Sequence, residues 1–127
     1  EFVAKRHILK DRYNSLLSGL PIIKPYQDKN SYSALHLYPI KIDLKNVSKN
    51  RKQIFNELRE DGIGVNVHYI PIQTHPYYRQ LGFKEGDFPN SESYYEAALS
   101  LPLYSGMCSQ DQNKVVASIM KALDGNK

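Results

Sequence analysis

The sequence predicts an α+β domain in which a small sheet is covered by helices packed on one side. Three observations lead there. Helical and extended patterns are interspersed along the chain, the extended ones are few, and one of them, residues 63–70, alternates cleanly between two faces. At 127 residues the chain has the length of one domain, enough to bury about two thirds of its unfolded surface.

The elements follow in order. Leu9, Tyr13, Leu16, Leu17 and Leu20 fall on one stripe of a helix. Gly19 and Pro21 end it, because proline has no amide for the next helical hydrogen bond. Ile22 and Ile23 form a short strand candidate, followed by a polar loop through Asp28, Lys29 and Asn30. SALHLYPIKIDL, residues 33–44, reads as a strand. His36, Tyr38, Ile40 and Ile42 share one face, and Leu35, Leu37, Pro39 and Lys41 the other. Pro39 cannot donate to a ladder, which places this strand at an edge or at a bulge. His36, on an apolar face, reads as a packing residue.

A helix over about 50–60 buries Ile54, Phe55 and Leu58, with Asn50 and Gln53 as its cap pair and Gly62 as its stop. In GVNVHY the alternation sends Ile63, Val65, Val67 and Tyr69 to the core, and Gly64, Asn66, His68 and Ile70 outward. Pro71 ends that strand, and Pro76 suits the first turn of a short helix through Gln80. After the turn-rich KEGDFPN come a helix over about 91–98 and an extended run at 99–103. A last helix follows, with Ser109 and Gln112 as capping box and Val115, Val116, Ile119, Met120 and Leu123 as stripe. No internal repeat or low-complexity tract is visible.

Composition narrows the function classes. Hydrophobic residues are 41% and charged residues 24%, which excludes a generally disordered chain. The longest apolar runs are a few residues, too short for a transmembrane helix. Cys108 is the only cysteine, so neither an internal disulfide nor a thiolate metal cluster is available, and a reducing, cytoplasmic setting is the default. The net charge is +4, densest at Lys49, Arg51 and Lys52. With no interleaved aromatics and no adjoining glycine-rich loop, that cluster reads as a solvated helix start, and no nucleic-acid or membrane partner is expected. The chain begins with glutamate, and no basic-then-apolar signal segment follows. It is expected to be part of a longer protein.

Residues 62–83, GIGVNVHYIPIQTHPYYRQLGF, hold two histidines and three tyrosines. They line a site or pack against a body outside this chain. His68 and His75, with His36 or Asp87, lack the tight spacing of a metal motif, so no metal site is expected. Nothing around Cys108 suggests a nucleophile turn, and there is no G-x-S-x-G, P-loop or G-x-G-x-x-G. No catalytic or cofactor-binding residue is expected in the chain. Of its ten tyrosines, Tyr77, Tyr78, Tyr94 and Tyr95 stand where helices meet a neighbour, a role in which aromatic rings are enriched.

The order of these pieces resembles a known domain. LHLYPI, a helix, LREDGIGVNVHYIPI, HPYYRQLGFKEGDFPNSESYYEAALSLPLYSG and a final amphipathic helix are similar to the C-terminal small domain of the DegT/DnrJ/EryC1/StrS family of PLP-dependent nucleotide-sugar aminotransferases. The resemblance is densest at residues 35–42 and 59–104. It implies a fold-type I small domain with a mainly antiparallel sheet, spanning 1–127 as a single unit. It further implies that pyridoxal 5'-phosphate sits in a large N-terminal domain, on a lysine and an aspartate absent from this chain. The intact enzyme would be a homodimer passing an amino group from glutamate to a 4-keto nucleotide sugar in surface polysaccharide biosynthesis. The isolated chain would be inactive.

On that resemblance His68 and Asn66 face the substrate cleft, and Tyr69 with Ile70 and Pro71 shapes its entrance. His75, Tyr77 and Tyr78 contact the large domain or the other subunit. Some relatives are dehydratases, a difference decided upstream of residue 1. The alternative is a stand-alone module that holds a nucleotide sugar or a protein on the Asn66/His68 face.

Overall fold

The computed structural model describes residues 1–124. One sheet has strand order β1-β2-β3, with β1 at Ile22–Ile23, β2 at Tyr38–Ile42 and β3 at Ala98–Leu101, and both pairings are antiparallel. Among the described residues five α-helices accompany it: α1 (Phe2–Leu16), α2 (Arg51–Glu60), α3 (Pro76–Gln80), α4 (Pro89–Ala97) and α5 (Ser109–Leu123). A 3₁₀ turn at Ile72–Thr74 precedes α3. The class is the α+β architecture that the interspersed patterns predict.

Strand alternation sets the core. Tyr38 lies opposite Leu101 and Ile40 opposite Leu99, and all four side chains are buried on one face together with Ile42. Leu9, Tyr13 and Leu17 join this core from α1 and its C-terminal turn, Ile54 and Leu58 from α2, and Val115, Val116, Ile119, Ala122 and Leu123 from α5. Each large aliphatic so buried contributes about 1.5–3 kcal/mol relative to exposure. α3 and α4 bury no residue of their own.

Polar groups inside this core are paired. The rings of Tyr13 and Tyr38 lie 5.0 Å apart. The Tyr13 hydroxyl donates to the Pro102 carbonyl at 3.1 Å and the Tyr38 hydroxyl to Asn14 Oδ1 at 2.6 Å, which removes the cost of burying an unpaired phenol. Gln112, fully buried, donates through Nε2 to the Leu9 carbonyl at 2.8 Å. Its Oε1 accepts from Arg12, whose other arm reaches Asn113 Oδ1 at 2.7 Å. These bonds clasp α1 to α5.

Helix ends follow the sequence to within a few residues: α1 stops at Leu16, short of Gly19, α4 starts at Pro89, ahead of the expected 91, and the α5 cap is displaced. At α2 the Asn50 side chain accepts from the Gln53 N–H at 3.0 Å while Gln53 Oε1 accepts from the Asn50 N–H at 2.9 Å. Gly62, at φ +76°, turns the chain out of that helix in the left-handed region. For α5 the cap lies one residue before the expected Ser109–Gln112 pair: Cys108 is the N-cap, and Asp111 accepts from its N–H at 2.8 Å. Gln112 is inward-facing and engaged with α1, so it is unavailable for capping. Met120, expected in the buried stripe, is exposed.

Pro39 is not on an edge strand, contrary to expectation: β2 is the central strand. Ser100, its partner across β3, turns both its N–H and its C=O toward Asn66, at 2.8 and 3.2 Å. Pro39–Ser100 is therefore a non-hydrogen-bonded pair. The nitrogen of Pro39 faces the β1 side, where β1 reaches only Lys41 and Ile42. The missing donor falls where the sheet asks for none.

Two further expectations need correcting. Residues 33–37 precede the strand, so His36 is exposed and off the apolar face, while Leu35 is buried at φ +48°. Residues 63–70 do not form a full strand; a single bridge, Asn66 to Ser100, joins them to β3. Ile63 and Val65 are buried as the alternation predicts, but past the bridge the pattern lapses, and Tyr69 stands 71% exposed. With no ladder beyond Asn66, nothing holds the period of two.

Candidate functional site

The expected site residues fall into two constellations. The first is built on the bridge. Asn66 is exposed, and its Oδ1 accepts from the Val67 N–H at 2.8 Å. Ser100, buried in β3, bonds through Oγ to His68 Nδ1 at 2.8 Å, which leaves His68 half-buried against the outer side of the sheet. The ring of Tyr69 meets that of His68 edge-on at 4.7 Å, across a cis peptide bond. Asn66, His68 and Tyr69 are thus brought together, by a serine that sequence patterning did not single out.

The second constellation is an aromatic flank. Pro71 is buried and starts the 3₁₀ turn; His75, exposed, is the N-cap of α3, with Pro76 at its first turn. Tyr77 and Tyr78 meet at 5.3 Å, Tyr78 and Phe83 at 6.3 Å, and Phe83 and Phe88 at 6.1 Å. Ile72, Gln73, Tyr78, Phe83, Phe88 and Ser91 line an open, largely apolar groove of about 300 Å³. His75 and Tyr78 therefore belong with this flank, away from the Ser100 bridge.

One carboxylate frames the groove. Glu92, in the first turn of α4, accepts from Gln73 Nε2 at 3.0 Å and from the Gly86 N–H at 2.9 Å. Those bonds, Gln73 first and Gly86 second, hold its carboxyl below the ordinary glutamate range. The 3₁₀ turn, the loop before α4 and α4 itself are tied at one point. Neither Gln73 nor Glu92 carried a local sequence signal, because their partners lie far along the chain.

Two of the three residues of the basic cluster are engaged within the domain. Lys49 binds Glu57 at 2.8 Å, and the Arg51 guanidinium lies 4.8 Å over the ring of Tyr95. Tyr95 is thus occupied within the domain, whereas Tyr94 is exposed. Among the described residues no group of three or more His, Cys, Asp or Glu is placed to hold a metal ion. No helix among them is long and apolar enough to cross a membrane.

A profile of the DegT/DnrJ/EryC1/StrS aminotransferase family matches residues 1–120. The chain belongs to that family. The spore coat polysaccharide biosynthesis protein SpsC of Bacillus subtilis is 36% identical to it over 124 residues, covering 95% of the chain and 32% of SpsC. An uncharacterized Methanocaldococcus jannaschii protein, MJ1066, is 38% identical over 125 residues, 97% of the chain and 32% of its own length. Among solved structures, Helicobacter pylori PseC, an aminotransferase involved in pseudoaminic acid biosynthesis, superposes with a TM-score of 0.86 at 27% identity, covering 97% of the chain and 33% of PseC. A putative sugar aminotransferase of Streptococcus pneumoniae, Spr1654, solved in apo, PMP and PLP forms, also gives 0.86, at 25% identity over 97% of the chain and 31% of its own. This family member spans about a third of the length of these relatives.

The cofactor in the PLP form of Spr1654 does not fit the described residues alone. No described lysine is buried. Lys24 is spent on the Asn14 carbonyl and Lys49 on Glu57, while Lys121 reaches Asp61 at 2.9 Å from an exposed position. Lys114 shares an open groove with Asp111, yet is itself exposed. A lysine that bonds covalently to the cofactor needs a desolvated pocket with a partner for the pyridine nitrogen, and these residues do not assemble one.

Proposed function

We propose that this chain is the C-terminal small domain of a PLP-dependent nucleotide-sugar aminotransferase, working in surface polysaccharide or glycan biosynthesis. The cofactor is held by a large domain of the same polypeptide, outside residues 1–127, and the intact enzyme is a cytoplasmic homodimer. It moves an amino group from glutamate to a 4-keto nucleotide sugar. The wording GVNVHYIPI…YYRQLGFKEGDFPN is most like the transaminase that makes UDP-4-amino-4,6-dideoxy-N-acetyl-β-L-altrosamine, and the similarity to PseC supports that subclass.

The observation that carries the reading is the pairing of family membership over residues 1–120 with a flank of exposed rings and an outward imidazole. A domain that folds around its own core leaves such a surface uncovered when it is built to meet another body. In this reading Asn66, His68 and Tyr69 wall the sugar-nucleotide cleft, and His75 and Tyr78 belong to the seam with the large domain or the second subunit.

The experiment uses the 127-residue chain. Incubated with PLP and then borohydride, it should retain no stoichiometric label on any lysine, and titration with UDP-sugars should release no binding heat. One lysine labelled in full would place a cofactor site inside this chain and overturn the assignment. Tight UDP-sugar binding by the chain alone would point instead to a self-sufficient binding module.

A further inference from the structure

Ser100 carries more than a place in the sheet. Its backbone N–H and C=O are both used by Asn66, at 2.8 and 3.2 Å, so its side chain is left to find a partner on the outer face. Ser100 is buried, and the one hydrogen bond of its hydroxyl among the described residues is to His68 Nδ1 at 2.8 Å. Two proton placements are compatible with that distance. If Nδ1 carried the proton and donated to Oγ, the hydroxyl proton of a buried serine would have no acceptor, at a cost of about 1–3 kcal/mol. If Oγ–H donates to Nδ1, both groups are satisfied and the imidazole proton must reside on Nε2. His68 Nε2 has no partner among the described residues and is not one of the sealed, unpaired nitrogens, which are confined to Arg6 and Arg51.

We infer that Ser100 is a positioning residue that fixes neutral His68 as the Nε2–H tautomer, so that His68 offers a hydrogen-bond donor, not a base, to an acceptor oxygen on the ligand in the cleft. The cleft itself rests on the proposed function; the tautomer does not. A donor there suits the oxygen-rich surface of a sugar nucleotide, whether phosphate, hydroxyl or carbonyl. It also means that proton abstraction falls to another group, since the lone pair His68 could have used is tied to Ser100. The bridge has a matching role: Asn66 holds the β3 backbone at Ser100, which aims Oγ at the ring.

The test is long-range proton–nitrogen NMR on the ¹⁵N-labelled chain, at a pH about two units above the ordinary histidine value near 6.5. The His68 signals are identified by their loss in His68→Asn. Wild type should show one tautomer, protonated on Nε2, with Nδ1 bare and hydrogen-bonded. Ser100→Ala should return the ring to an averaged mixture of tautomers, and Ser100→Thr, which keeps a hydroxyl, should retain the single form. A proton on Nδ1, or a mixture already present in wild type, overturns the assignment even if Ser100→Ala fails to fold. So does a spectrum that Ser100→Ala leaves unchanged. No cofactor or sugar nucleotide enters the measurement. A chain that proved to bind PLP on its own would end the functional reading while leaving this result standing, and a bare Nε2 would end only the tautomer assignment.

Discussion

Tyr13 and Tyr38 are two phenols sealed in one core, and burial pushes both above the ordinary tyrosine value. For Tyr13 the neighbouring Tyr38 adds to that effect, and for Tyr38 the Asp11 carboxylate does. A folded-state value raised above the unfolded one contributes stability that is complete below about pH 10 and is lost as pH rises through the folded value. The chain should therefore weaken steeply in alkali. Tyr13→Phe should cost roughly 0.5–1.5 kcal/mol at neutral pH through the lost bond to Pro102, yet lose less than wild type between pH 9 and 11. Urea titrations at the two pH values check this; parallel losses in both proteins would show that Tyr13 is not the alkaline weak point. At this scale the sequence was partly legible. Burial of Tyr13 followed from its helical stripe, and that of Tyr38 from strand alternation. The roles of Ser100 and Gln112 did not, because a polar residue between apolar ones reveals its purpose only through a partner, and theirs are 32 and 103 residues away.

At the scale of elements, Glu92 joins α4 to the 3₁₀ turn and to the loop at Gly86, and all three border the aromatic groove. Its depressed carboxyl contributes stability that is fully present above the unfolded value near 4.3 and is lost as pH falls through the folded value. Hydrogen exchange should report the opening locally: the Gly86 amide should be protected at pH 7 and lose protection below about pH 4, while amides of α5 hold. Glu92→Gln should weaken Gly86 protection at neutral pH and abolish its acid dependence. An unchanged Gly86 profile in that variant would remove the clip from the account. Helix positions were readable because caps and breakers act locally, as Asn50, Gln53, Gly62 and Pro76 do. Strand extents were not, since pairing is decided by the neighbour. GVNVHY has the alternation of a strand but makes one bridge, and Pro39 sits in the sheet centre because β1 stops short of it.

Across the whole molecule, the core is closed around the sheet, α1, α2 and α5, while large apolar side chains over residues 69–81 are left uncovered. Tyr69, Ile72, Tyr77 and Leu81 are each more than 60% exposed, and exposed apolar surface of this kind drives association. The 127-residue chain should self-associate with rising concentration in sedimentation experiments, and Ile72→Lys with Tyr77→Lys should restore a monomer. A wild-type chain that stays monomeric at its solubility limit would show that the flank is inert by itself. The α+β class was legible in full from interspersed periodicities. Of the candidate site, the placement of Asn66 and His68 off the core face was legible from alternation, but the division of the five residues into two constellations was not. The clasp between α1 and α5 has a temporal meaning as well. Leu9 and Arg12 are translated about a hundred residues before the side chains that bond to them. The first helix must emerge from the ribosome before its clasp exists, so during synthesis this domain is finished only when its last helix arrives.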